Sequence, residues 1–84
     1  MFKNKNILIS GGSGFIGNGL VKRLIPLKPH KIIIYSRSEY KQFVMSRNYN
    51  YPGMRYMLGD IRDLDRLSMA CKNVDFIIHY PSIY

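Results

Sequence analysis

The chain has 84 residues, 46% of them hydrophobic, so it is long enough for one small domain, too short for two, and too apolar to be intrinsically disordered. Its formal net charge is +8, from 13 Lys and Arg against 5 Asp and Glu, which favours anionic partners such as nucleotides, nucleic acids or acidic surfaces. Cys71 is the single cysteine, which excludes an internal disulfide and favours a reducing compartment. No apolar run approaches the ~20 residues of a membrane helix. The composition therefore predicts a cytoplasmic protein without a membrane partner.

Strand and helix patterns alternate along the chain. Short β-branched and apolar runs predict buried strands at residues 7–9, 31–35, 54–58 and 74–79. Apolar residues at helical spacing predict helices over residues 14–24, from Ser36 or Ser38 to about Arg47, and over about 64–72. This order, β-α-β-α-β-α-β, predicts an α/β, Rossmann-like parallel sheet with strand order 3-2-1-4 and helices on its faces.

Each predicted helix has an expected inner face and an expected boundary. The inner faces are expected at Ile16, Leu20, Val21 and Leu24 in the first helix, at Tyr40, Phe43 and Val44 in the second, and at Leu64, Leu67, Met69 and Cys71 in the third. Pro26 and Pro29 should end the first helix. Asp63 should cap the third.

The turn after the first strand carries the main motif. Residues 12–17 read Gly-Ser-Gly-Phe-Ile-Gly, which matches G-x-G-x-x-G, and Gly11 extends the pattern. Glycine allows positive φ, close approach of the backbone to a pyrophosphate, and tight packing of helix on strand, while the helix start adds N–H groups and partial positive charge. The alternative is a glycine-rich turn without a ligand. The motif predicts a dinucleotide pyrophosphate held by Gly11, Ser13, Gly14, Phe15, Ile16 and Gly17.

The end of the second strand suggests which dinucleotide binds. Arg37 stands where NAD-binding folds often place an acidic residue for the ribose 2′-hydroxyl. An arginine there can stack on adenine and pair with a 2′-phosphate, although a solvated loop arginine is the alternative. Ser36 and Ser38 could donate to the same phosphate, and Lys41 lies one helical turn further. The prediction is NADP, with NAD as the alternative cofactor.

Four segments resemble a known family. Residues 9–17 resemble the opening of the extended short-chain dehydrogenases/reductases, the NAD(P)-dependent epimerases and dehydratases, with Ser10 in place of their usual threonine. Residues 58–63 are similar to the G-D-[IVL]-x-D segment of that family, and residues 75–79 to its D-x-V-x-H strand. Residues 31–42 resemble the UDP-N-acetylglucosamine 4,6-dehydratase branch of polysaccharide biosynthesis, which typically uses NADP.

The resemblance implies roles and an activity. Asp60 would accept from the adenine amino group, and the Ile61 backbone would lie beside the ring. Residues 1–84 would be the N-terminal part of a dinucleotide-binding domain. In a full-length form that binds a UDP-sugar, a hydride would pass from sugar C4 to NADP, water would be eliminated across C5–C6, and the hydride would return.

The sequence departs from that family in two respects. Tyr80 and Pro81 replace a small pair that usually follows the fourth strand, which affects the nicotinamide side. No tyrosine is followed by lysine four residues later, so the Tyr-x-x-x-Lys pair is absent from these 84 residues and we assign no catalytic residue.

Several alternatives remain at this level. The main hypothesis is the cofactor-binding portion of a nucleotide-sugar dehydratase or epimerase; the alternative is a stand-alone nucleotide-binding module without catalysis. Nucleic-acid binding is disfavoured because the basic residues are spread along the chain without a Lys/Arg run. His30 and His79 lack partners at metal-ligand spacing, so no metal is expected. The fourth strand should be an unpaired edge. Three explanations are open: a fragment of a longer enzyme, self-association through that edge, or a decayed or repurposed nucleotide-binding half-domain.

Overall fold

The computed structural model describes residues 1–11 and 14–79. The elements in chain order are β1 (Asn6–Ser10), α1 (Phe15–Leu24), a 3₁₀ turn (Ile25–Leu27), β2 (Lys31–Ser36), α2 (Glu39–Asn48), β3 (Met54–Leu58), α3 (Leu64–Ala70) and β4 (Phe76–His79). The predicted alternation of strands and helices is confirmed. The predictions for Ser13, Tyr80 and Pro81 lie outside the described residues.

The four strands form one parallel sheet in the order β3-β2-β1-β4, so the predicted Rossmann-like α/β fold is confirmed. Ser10, the last residue of β1, is in register with Tyr35 of β2 and with His79 of β4. Because all strands run the same way, their carboxyl ends meet at one edge. In open sheets of this type, ligands bind at that edge, where the strand order reverses.

The core divides between the two faces of the sheet. Apolar side chains of α1 and α2 pack on one face, against Ile7, Ile9, Ile32 and Ile34. The other face is covered by α3, whose Ala70 packs with Leu8 and Tyr35. These four isoleucines are fully buried, and each contributes about 1.5–3 kcal/mol through burial of its side chain.

The buried face of α2 differs from the prediction. Gln42 and Met45 are buried, whereas Tyr40, Phe43 and Val44 are exposed. The expected inner face was wrong because it followed side-chain hydrophobicity alone. The helix instead turns an amide toward polar backbone groups of the sheet, and the buried polar group is retained because its hydrogen bonds are satisfied.

The buried faces of α1 and α3 differ less from the prediction. In α1, the buried residues are Gly17, Val21 and Leu24, whereas Ile16, expected on the inner face, is exposed. In α3, the buried residue is Ala70. Leu67 and Cys71 are half-buried against the same cluster, as expected. The prediction for Leu64 and Met69 was wrong, since both are exposed.

The helix boundaries follow the predicted signals. Ser38 caps α2 by accepting a hydrogen bond from the Lys41 backbone N–H at 3.2 Å, and Asp63 caps α3 by accepting from that of Arg66 at 3.2 Å. The α1 helix ends at Leu24, and a 3₁₀ turn that contains Pro26 follows. Among residues 1–11 and 14–79, no helix has the length and apolar composition needed to cross a membrane.

Candidate functional site

The glycine turn leaves β1 in a conformation that only glycine adopts easily. Gly11 has a φ of 71°, in the left-handed region, and its N–H donates to the Tyr35 carbonyl at 2.8 Å. Gly14 is the N-cap of α1, and its carbonyl accepts from the Asn18 backbone N–H at 3.0 Å and the Asn18 side chain at 2.9 Å. A Cβ at Gly14 would meet no atom of the described chain within 4 Å. The Gly14 side of the turn therefore has room for a ligand.

The first turn of α1 presents its backbone N–H groups without an acidic neighbour. An α-helix leaves its first N–H groups without partners inside the helix, and its N-terminus carries partial positive charge. The first turn of α1 contains no Asp or Glu, and the Phe15 side chain is 94% exposed. This combination of backbone donors and a positive helix end suits an anion such as a pyrophosphate.

The ends of β2 and β3 bring together two residues predicted from separate motifs. Arg37, just after β2, places one guanidinium nitrogen 3.7 Å from the Oδ2 of Asp60, which follows β3. Arg62 donates to the same carboxylate from its backbone N–H at 2.9 Å and from its guanidinium at 3.2 and 2.9 Å. These hydrogen bonds from Arg62 lower the pKa of Asp60 to about 2, so the carboxylate is ionised at neutral pH.

The two carboxylate oxygens of Asp60 accept different numbers of hydrogen bonds. Its Oδ1 accepts from two donors of Arg62, which fills both lone pairs. Its Oδ2 accepts one hydrogen bond from Arg62 at 2.9 Å, and Arg37, at 3.7 Å, is beyond hydrogen-bond distance from it. With a single hydrogen bond from the described residues, Oδ2 can accept from one further donor.

Two buried side chains that the sequence motifs did not identify connect the ends of β2 and β3. The Tyr35 hydroxyl donates to the Asp60 carbonyl at 2.7 Å. Gln42 donates to the Met57 carbonyl at 3.0 Å and to the Ser36 hydroxyl at 2.9 Å. The sequence signals were a tyrosine in an apolar strand and a glutamine one turn after the helix cap. Neither signal distinguishes a buried polar contact from an exposed one.

The remaining predicted residues of this edge have different surroundings. Ser36 is buried with its hydroxyl against Gln42, and Ser38 is half-buried as the cap of α2. Lys41 is exposed in the first turn of α2. Ile61 is 41% exposed beside Asp60. The structure thus gathers Arg37, Ser38, Lys41, Asp60 and Ile61 around the ends of β2 and β3.

A pocket lies on the α3 side of the sheet, at the ends of β1 and β4. Its volume is about 320 Å³. Ser10 and His79, the last residues of the two strands, share a hydrogen bond in its wall. The other lining residues are Ile61, Leu67, Cys71 and Ile77, so the pocket is mostly apolar. It adjoins the Asp60 turn through Ile61.

Comparison with known proteins places these features in a family. A family model described as polysaccharide biosynthesis protein matches residues 7–83. The UDP-N-acetylglucosamine 4,6-dehydratase (inverting) of Campylobacter jejuni is 56% identical over 80 residues, which are 94% of this chain and 24% of that protein. The chain therefore spans about a quarter of the length of this relative.

Solved structures show the same similarity. The X-ray structure of Pen from Bacillus thuringiensis superposes with a TM-score of 0.94 at 38% identity, over 99% of this chain and 26% of that one. The dTDP-glucose 4,6-dehydratase of Bacillus anthracis, crystallised in complex with NAD, has a TM-score of 0.79 at 25% identity, over 94% of this chain and 27% of its own. In both, the likeness extends over nearly all of this chain.

Proposed function

The chain belongs to the polysaccharide biosynthesis protein family, and from this membership we propose that it is the NADP-binding portion of a nucleotide-sugar 4,6-dehydratase or epimerase. The observation that carries the proposal is the meeting of Arg37 and Asp60 at the same sheet edge as the glycine turn. A basic and an acidic group in that arrangement suit the two ends of a 2′-phosphorylated adenosine. The single cysteine and the nucleotide ligand fit a cytoplasmic location.

The pyrophosphate is assigned to the glycine turn and the start of α1. Gly11 and Gly14 provide the backbone path, and the first-turn N–H groups of Phe15, Ile16 and Gly17 provide donors. Gly17 also lets α1 pack closely on the sheet. The open space at Gly14 is where a phosphate oxygen would approach the backbone. The prediction that Ser13 contributes remains part of this proposal.

The adenosine is assigned to the ends of β2 and β3. The exposed guanidinium of Arg37 would pair with the 2′-phosphate, and Ser38 and Lys41 would assist from the start of α2. Asp60 Oδ2, which accepts one hydrogen bond from Arg62, would also accept from the adenine amino group, with the Ile61 backbone beside the ring. Ser36 contributes by ordering the loop, because its hydroxyl is engaged by the buried Gln42.

The chemistry of the whole enzyme is proposed from its relatives. NADP, when bound, supplies a nicotinamide that accepts a hydride. The residues of this chain would bind and orient the dinucleotide, and the UDP-sugar would be bound by a full-length form. The name of the Campylobacter relative supports a UDP-N-acetylhexosamine as substrate class. The NAD complex of the Bacillus anthracis enzyme supports a nicotinamide dinucleotide as the ligand of this fold.

Binding measurements on the protein test this proposal. Isothermal titration with NADP, NAD and UDP-N-acetylglucosamine should show dinucleotide binding. Gly14→Val should abolish it, because the added side chain projects into the space assigned to the pyrophosphate, and its Cβ would meet no described atom within 4 Å. Gly19→Ala, also in open space within α1, is the matched control and should bind normally. Unchanged dinucleotide affinity in Gly14→Val would refute the pyrophosphate assignment.

A further inference from the structure

We infer that Tyr35 is a positioning residue for the adenosine end of the site, which holds the Asp60 turn at a fixed place against β2. The inference rests on the proposed function, because the site it positions is the one assigned there. Tyr35 itself is fully buried and would not touch the ligand. Its effect would pass through Asp60.

The contact between Tyr35 and the turn is close and specific. A Cβ added to Gly59 would lie 2.3 Å from the Tyr35 hydroxyl oxygen and 2.5 Å from the ring carbon that bears it. The ring therefore occupies the space that a side chain at position 59 would need. The hydroxyl continues past Gly59 to donate to the Asp60 carbonyl at 2.7 Å. The Gly59 N–H, in turn, donates to the Ser36 carbonyl at 2.9 Å.

The environment of the ring makes this hydrogen bond important. Tyr35 packs in an apolar cluster with Leu8 and Ala70, where an unpaired hydroxyl would be costly. Burial raises the pKa of Tyr35, so the hydroxyl keeps its proton and remains a donor at physiological pH. The Asp60 carbonyl therefore has a permanent donor whose position is set by a rigid ring in the sheet.

Asp60 is consequently held from β2 in two ways. Tyr35 binds its backbone carbonyl, and Arg37, two residues later, approaches its carboxylate. If the turn moved, the carboxylate would move with it, and the charge that attracts Arg37 would be displaced. The Tyr35 hydroxyl thus sets the distance between the two groups that recognise adenine and the 2′-phosphate. Its loss should weaken adenosine binding without altering the glycine turn.

Tyr35→Phe tests the inference, with Tyr56→Phe as its matched control. Both changes remove one phenolic hydroxyl from a strand, but the Tyr56 hydroxyl is buried without a hydrogen-bond partner among the described residues. In Tyr35→Phe, affinity for NADP and for 2′,5′-ADP should fall about fivefold, which corresponds to ~1 kcal/mol for one lost hydrogen bond. Affinity for inorganic pyrophosphate should stay unchanged. Tyr56→Phe should match the wild type for all three probes.

Amide hydrogen exchange provides a readout that general destabilisation would not reproduce. The Arg62 backbone N–H donates to the Asp60 carboxylate, so it reports on the turn directly. It should exchange faster in Tyr35→Phe, while amides of the central strand β1 should keep their protection. Faster exchange in both regions would mean that the hydroxyl only stabilises the fold, and would overturn the inference.

The affinity results separate this inference from the function on which it rests. If the wild type binds NADP and Tyr35→Phe binds 2′,5′-ADP as tightly as Tyr56→Phe does, the positioning role is wrong and the proposed function stands. If the wild type binds neither NADP nor 2′,5′-ADP, both are wrong.

Discussion

The two edges of the sheet differ in the side-chain contacts that join their strands. On the side of β2 and β3, buried polar side chains connect the strand ends: Tyr35 reaches the Asp60 turn, and Gln42 reaches Met57 and Ser36. On the side of β4, the strand pairs with β1, and its residues alternate between half-buried and exposed, with Ile77 57% exposed. The ends of β1 and β4 are joined by the hydrogen bond between Ser10 and His79.

This difference indicates which part of the proposed site has a fixed geometry. Side-chain hydrogen bonds inside the fold fix the geometry of the β2–β3 ends before any ligand binds, which is preorganisation in the ordinary sense. The strand β4 is held mainly by its backbone hydrogen bonds to β1, and its side chains are only half-buried or exposed. The adenosine end of the proposed site is therefore expected to be the more rigid one. Four experiments test this contrast, starting with the largest expected effect.

Truncation of matched isoleucines should separate the two sides most clearly. Ile34 of β2 is fully buried, and Ile34→Ala should destabilise the fold by about 2–5 kcal/mol through lost burial and the cavity left behind. Ile77→Ala in β4 should cost less than about 1 kcal/mol, because more than half of its surface already contacts solvent. Urea unfolding of both variants measures the two changes in the free energy of unfolding. Equal costs would contradict the contrast.

Substitution of Gly59 should be nearly as damaging, for a different reason. Gly59→Ala would place a Cβ 2.3 Å from the Tyr35 hydroxyl and 2.5 Å from the ring carbon that bears it, so the fully buried ring or the turn would have to shift. The expected loss is about 1–3 kcal/mol from overpacking. Gly19→Ala is the control, since its Cβ meets no described atom within 4 Å and alanine favours a helix. Denaturation midpoints should therefore move in opposite directions.

The buried amide of Gln42 should have a moderate effect. Gln42→Leu would leave the Met57 carbonyl and the Ser36 hydroxyl without this donor, and the expected cost is about 1–2 kcal/mol after the gain in apolar burial. Tyr40→Ser, on the exposed face of the same helix, should change stability by less than about 0.5 kcal/mol. A larger loss in Tyr40→Ser than in Gln42→Leu would restore the face predicted from the sequence.

The pH dependence of Asp60 should give the smallest effect. Hydrogen bonds from Arg62 lower its folded pKa to about 2 from an ordinary value of 3.8. A carboxylate with a lowered folded pKa stabilises the fold above its unfolded pKa, and this contribution is lost as the pH falls toward the folded value. The difference in thermal midpoint between the wild type and Asp60→Asn should be constant above about pH 5 and should shrink progressively as the pH falls toward 2. A difference independent of pH would contradict the assignment.

The sequence was sufficient for the architecture but not for every packing face. Strand order, the glycine turn and the caps at Ser38 and Asp63 depend on local patterns, so they could be predicted. The inner face of α2 could not, because Gln42 is buried by hydrogen bonds to Met57 and Ser36, and their positions are known only once β2 and β3 are paired. Periodicity of apolar residues carries no information about such partners.

The candidate site was also only partly predictable from the sequence. Arg37 and Asp60 could each be proposed from position and family resemblance, and the sheet then brings them to 3.7 Å. Tyr35 could not be identified as a contact of Asp60, because 25 residues separate them and the contact depends on the absence of a side chain at Gly59. Self-association through the edge of β4 and the roles of the individual ligand-binding residues stay predictions.

The most direct test of the account is a comparison of NADP and NAD affinity before and after charge reversal at Arg37. Isothermal titration should show tighter binding of NADP in the wild type. Arg37→Glu should weaken NADP at least tenfold, since a charged hydrogen bond to phosphate contributes about 1.5–3 kcal/mol, and should change NAD much less. Arg47→Glu, at the far end of α2, should leave both affinities unchanged. If Arg37→Glu lost the same affinity for NADP as for NAD, the assignment of Arg37 to the 2′-phosphate would be wrong.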